Sequence, residues 1–286
     1  MNGEQEEIVS LKCKHTRAHL FWRRFLVKES FREFLIWFIV LFFLLIGYGF
    51  FTDKWWSFSI STVLIVGSIV FFERSEYKTR LGLKGPLYIW LLCTLFFPLC
   101  NFITQHIMTH VLPIDFRFKS ESSHYREYLR VFFQCLNEEM VFRGLLLTTP
   151  LLTGSKWIKI IFISFFFAVG HWLFYRFNIL PSNQGDLSLT AILTLFMFSV
   201  ACNVFCLKFK TIAISLFFHY VWNVNRFLEI LEKKGTRVLE YETFNLIEGS
   251  IPVFISVSLL LLFSLFLNWI GNFLKGYFFK YQIFSK

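Results

Sequence analysis

Long apolar runs separated by short clusters of charged and turn-forming residues make up most of this chain. A membrane-spanning helix needs roughly 17–25 mostly apolar residues. By that measure the pattern predicts about eight spans, over residues 34–51, 55–72, 85–108, 128–152, 157–175, 187–207, 211–228 and 250–274. The third carries Pro98 and the polar Asn101, Thr104 and Gln105, so a kink or an early end is expected there. Charge and turn residues mark the loops, the longest over 229–249. The expected architecture is all-α: a polytopic helix bundle with an internal polar cavity, forming one membrane domain over 34–274. A basic cytoplasmic or interfacial segment (1–33) precedes it and a short tail (275–286) follows. Residues 1–33 lack the short apolar core of a signal peptide. Within them, 11–31 reads either as an amphipathic surface helix or as a loosely ordered basic tail.

Composition supports lipid as the solvent. The 286 residues are 56% hydrophobic and 21% aromatic, with 41 Phe and a mean hydropathy of +0.56. A soluble domain of this length has too little interior to hide so much apolar surface. The net charge of +10 sits between the apolar runs rather than along one stripe. That distribution fits anionic lipid headgroups and excludes nucleic acid as the expected partner. With both termini cytoplasmic, that side collects roughly 18 Lys and Arg against roughly 9 on the other. The six Cys show no CxxC and no metal-type spacing. Cys135, Cys202 and Cys206 therefore read as small hydrophobes, the last two as a packed i, i+4 pair.

A few ionisable residues interrupt the apolar helices, each at a cost of about 2.5–3.5 kcal/mol at helix centre. The fourth predicted span contains Asn137-Glu138-Glu139 and then Arg143; the fifth contains Phe167 and His171; the seventh, His219 and Asn223. Glu139 and Arg143 stand at i, i+4 and can pair within one helix, which leaves Glu138, about 100° around, for another role. His219 and Asn223 share a face by the same spacing. Depth agrees as well: at about 1.5 Å per residue, all three positions lie within roughly 15 Å of the non-cytoplasmic helix ends. Three polar insertions at one level read as one site. Asn203 reads as packing, and His106, His110 and His124 have no assigned role.

These motifs resemble the CPBP intramembrane endopeptidases, the CAAX protease and Abi-like family. Its signature is Glu-Glu-x-x-x-Arg, then Phe-x-x-x-His, then His-x-x-x-Asn or Asp, on separate membrane helices. Glu138, Glu139 and Arg143, then Phe167 and His171, then His219 and Asn223, supply it in order. The resemblance implies that Glu138 activates a water with help from His171, while His219 and Asn223 bind the oxyanion. Glu139, Arg143 and Phe167 would support them. It leaves open whether the enzyme is a metalloprotease or a metal-free glutamic protease. A carboxylate with two imidazoles (Glu138, His171, His219) offers zinc its donor types. A Glu in an apolar pocket can equally serve as base and then acid, and Asn is a poor zinc ligand. No cofactor is the favoured reading.

The implied partner is a membrane-anchored peptide or protein in the bilayer, in a bacterial inner-membrane setting. A proton-coupled transporter would also bury Glu and His, but should show internal repeats, and none is clear. A non-catalytic scaffold or bacteriocin-immunity protein is the other alternative; the presence of every motif residue argues against it.

Overall fold

The computed structural model describes residues 30–44, 56–110, 116–118, 125–150, 152, 154–177, 185–225, 230–233, 245 and 247–284. The interfacial helix read over 11–31 falls almost wholly outside them. Among the described residues, helices follow in the order α1 (residues 30–44), α2 (Ser57–Phe72), α3 (Tyr77–Arg80), α4 (Leu87–His110), α5 (Tyr125–Glu139), α6 (Lys156–Arg176), α7 (Leu189–Phe209), α8 (Ala213–Val224) and α9 (Ile251–Phe284). Four helices among the described residues are long and apolar enough to cross a bilayer, over Leu87–Thr104, Lys156–Arg176, Leu189–Phe209 and Ile251–Gly271. The chain is on that ground an integral membrane protein. Helices α2 and α8 are apolar but shorter; the 12 residues of α8 cover only about 18 Å.

Local chemistry fixes the ends of the long helices. The Ser155 and Ser188 hydroxyls accept from the Ile158 and Ala191 amides at the starts of α6 and α7, taking up otherwise orphaned donors. Pro98 does not end α4, which runs on to His110. The predicted tail is also helical, since α9 continues to Phe284. The predicted fourth span differs most. Its α-helix stops at Glu139 and passes into a π-helical segment, Met140–Leu146, beside the paired glutamates. Such segments widen the helix by one residue per turn and often mark functional sites.

The architecture is all-α as expected, apart from one short ladder between two loops. A short antiparallel ladder joins β1 (Phe116–Phe118) to β2 (Ile230–Lys233), with Phe116 opposite Lys233. Both strands lie in segments read as loops. Their pairing shows that these two loops share one end of the bundle, as strict up-and-down alternation requires. Asn245 binds the Ser188 amide and the Asp186 carbonyl, placing two more loops together.

The opposite end is held by a strap over residues 77–85. The Gly82 carbonyl accepts from Ile212 N at 2.9 Å, at the start of α8. The Arg80 carbonyl meets the π-helical segment so closely that a Cβ on Gly144 would lie 2.6 Å from it. Arg80 itself is buried and pairs with Glu33 of α1, which also accepts from Thr149. The strap thus ties the helix carrying the glutamates to the helix carrying His219. Between the two ends, α7 packs against α6 and α9, α2 against α5, and α4 against α8. The largest apolar cluster joins Ile36, Ile65, Val141, Leu145 and Ile163.

Candidate active site

Glu138 and Glu139 close α5 at the point where the helix widens, and both are buried. Asn137 before them fixes the rotation of α5: Thr62 of α2 donates to its carbonyl oxygen at 2.6 Å, and its amide donates to the Phe58 carbonyl at 3.1 Å. The sequence offered Asn137 only as part of the motif; it is the anchor to α2.

Glu139 is the central acceptor of the cluster. Its Oε1 lies 3.3 Å from Arg143 Nη1, the ion pair expected from i, i+4 spacing. The same oxygen accepts from His219 Nδ1 at 2.9 Å, a cross-helix bond to α8 that spacing did not reveal. Arg143 donates from Nη2 to Ser199 of α7 at 3.1 Å, and its guanidinium lies 4.3 Å over the Phe167 ring. Arg143 therefore joins the π-helical segment, α6 and α7, and Phe167 packs against it as well as beneath His171.

Glu138 Oε2 faces both imidazoles, 4.0 Å from His171 Nε2 and 3.7 Å from His219 Nε2. These separations exceed a direct hydrogen bond and suit one bridging water. The His171 Nδ1 lies 2.8 Å from the Phe167 carbonyl oxygen, which can only accept. That contact assigns the proton to Nδ1 and leaves the neutral ring a lone pair at Nε2, towards Glu138. Asn223 donates to Cys135 Sγ at 3.3 Å. Cys135 stands three residues before Glu138, so a thiol read as a small hydrophobe is the partner that orients the carboxamide. The i, i+3 spacing places Cys135 on the Glu138 face of α5 but does not point to Asn223.

The cluster opens into a cavity of about 570 Å³ lined by Glu138, His171, His219 and Asn223. Most of the remaining wall is apolar, including Phe142, Phe174, Leu195, Phe198 and Leu260, where a polar cavity was expected. The loop before α9 adds Glu248, which accepts from Trp222 Nε1 at 3.1 Å and was not foreseen. Asn203 does not line this space; it donates to Ser164 across α6 and α7. Cys202 and Cys206 are both buried on one face of α7, and Cys206 also contacts Ser215 at 3.3 Å. His106 stacks on Phe102, away from the cluster. Among the described residues, no three or more His, Cys, Asp and Glu are gathered as a metal-ligand set.

Residues 126–225 match a family model described as type II CAAX prenyl endopeptidase, Rce1-like. The match runs from α5 to the end of α8 and contains every motif residue. It agrees with the resemblance those motifs carry. No curated protein and no solved structure matches the chain.

Proposed function

We propose, from this family match and the meeting of one carboxylate with two imidazoles, that the chain is an intramembrane endopeptidase. It hydrolyses a peptide bond in a membrane-anchored segment that enters the apolar cavity. A water between Glu138 Oε2 and the two Nε2 atoms is the nucleophile. The His171 lone pair takes one O–H and aims the oxygen; Glu138 takes the other proton as the new C–O bond forms. The carbonyl oxygen becomes an oxyanion, received by Asn223 Nδ2, which has a second N–H beyond the one directed at Cys135. His219 completes the cradle through Nε2–H. Since its Nδ1–H is held by Glu139, this role requires a doubly protonated ring, with Glu139 balancing the charge. Collapse breaks the C–N bond, and Glu138 returns its proton to the leaving amine.

The observation that carries this reading is the approach of Glu138 Oε2 to both imidazoles from separate helices. Zinc takes the same donor types, and Glu138, His171 and His219, with Glu138 Oε2 within 4.0 Å of both imidazoles, are the residues that would hold it; no step above uses a metal. Termini in the cytoplasm follow from the Lys and Arg bias, which puts the 77–85 strap on the cytoplasmic side and the strand ladder on the other. The test is cleavage of membrane-anchored peptides by reconstituted protein, wild type beside Glu138→Gln, with and without a zinc chelator. Cleavage that survives chelation and is lost in Glu138→Gln is expected. Stoichiometric zinc that disappears in His171→Ala would overturn the metal-free mechanism.

A further inference from the structure

A second cavity, of about 400 Å³, lies where three of the apolar span-length helices meet at one end of the bundle. Its wall is formed by Lys156 and Trp157 at the start of α6, Lys208 and Lys210 at the end of α7, and Asn268 and Gly271 of α9. Lys156 precedes His171 by 15 residues on α6, a rise of about 22 Å, so this space is remote from the catalytic cluster. Its size is within the range of small-molecule sites.

Of the three lysines, Lys208 is half-buried and anchored, while Lys156 and Lys210 stand exposed at the rim. Lys208 Nζ donates to the Leu267 carbonyl of α9, which fixes the side chain between two helices. Gly271 makes that possible, because a Cβ there would lie 2.5 Å from Nζ. An ammonium has three donors, and this bond uses one. Lys210 occupies the left-handed region (φ 56°, ψ 31°) at the end of α7, a position where glycine is the usual choice. A lysine kept there sets a charge at the cavity rim against a backbone preference. Lys156 Nζ lies 5.5 Å over the Trp157 ring, and the α6 N-terminus adds its positive dipole end. Among the described residues, no Asp or Glu lines the space. Below the lysines the wall turns apolar, with Ile160, Val204 and Leu207, beside the outward-facing Ile158 and Ile161.

We propose that this cavity binds the phosphate of an anionic phospholipid, with Lys156, Lys208 and Lys210 on the headgroup and the acyl chains along the exposed face of α6 and α7. The shared chemistry is a phosphate oxyanion. The apolar floor and the position at the ends of the spans favour a lipid over free phosphate.

Purified full-length protein in phosphatidylcholine nanodiscs, with and without phosphatidylglycerol, tests this by native mass spectrometry of retained lipid and by Tm. Wild type should retain phosphatidylglycerol over phosphatidylcholine and gain Tm with it. The Lys156→Gln/Lys210→Gly double variant frees α7 of its left-handed lysine, so its Tm in neutral discs should not fall. Its phosphatidylglycerol affinity should drop by about tenfold or more. Gly271→Ala, which displaces Lys208, should weaken retention in the same direction. Equal retention of the two lipids by wild type, or undiminished phosphatidylglycerol retention in the double variant, would overturn the proposal. A Tm gain in neutral discs from inorganic phosphate as large as that from phosphatidylglycerol would overturn the lipid assignment.

Discussion

Glu139 Oε1 forms an ion pair with Arg143 and accepts from His219, so one buried oxygen holds two positively charged or proton-bearing groups in register. Removing either charge of the ion pair leaves the other in a dry site. Arg143→Met is expected to destabilise the protein by about 3–5 kcal/mol, read as a lower Tm and lower yield of folded protein. Glu138→Gln keeps shape and hydrogen-bonding capacity while removing the base. Its Tm should stay near wild type while kcat falls by about 10²–10⁴-fold. The two neighbouring glutamates thus have opposite signatures, one in stability and the other in turnover. The motif residues were legible in the sequence because buried charge is costly and rare in apolar helices, and i, i+4 spacing paired Glu139 with Arg143. The Glu139–His219 and Asn223–Cys135 bonds were not legible. Each joins distant helices, and nothing in local periodicity reports a cross-helix rotation.

At the scale of elements, most of the described helices lie close to their predicted ranges because continuous apolar runs define them. Helix α9 runs to Phe284, ten residues past its predicted end at 274. The π-helical segment was invisible, since one extra residue in a turn barely disturbs an apolar pattern. The ladder between β1 and β2 was missed because three- and four-residue strands carry no usable alternation. Gly144, within the π-helical segment, lets the Arg80 carbonyl approach the glutamate helix because it has no Cβ. Gly144→Ala would force a Cβ to within 2.6 Å of that oxygen and 3.0 Å of the Leu81 carbonyl carbon. Neither is the flexible tip of a side chain, so a loss of about 1–3 kcal/mol is expected. Because the strap also binds α8 through Gly82, the shift should reach His219 and lower kcat beyond what the Tm change explains. A Gly144→Ala protein with wild-type Tm and turnover would remove the strap from any positioning role.

For the whole molecule, the contacts between loops sort into two layers, one with the strand ladder and one with the strap. Alternating apolar and charged segments made that up-and-down order readable. The number of full spans was not readable, since α2 and α8 are apolar yet short and α5 carries several charges. In the proposed orientation, which rests on the Lys and Arg bias, the strap layer is cytoplasmic. Single cysteines at Lys84 and at Asp186 should then react with an impermeant thiol reagent from opposite sides of the membrane. Reaction of both from one side would overturn the alternation itself. The central claim is that Glu138 and two imidazoles form a hydrolytic site within the membrane. Its most direct test compares the termini of membrane proteins, by mass spectrometry, in cells expressing wild type or Glu138→Gln at matched levels. The account predicts paired new C- and N-termini in or beside membrane segments with wild type alone; identical termini in the two would contradict it.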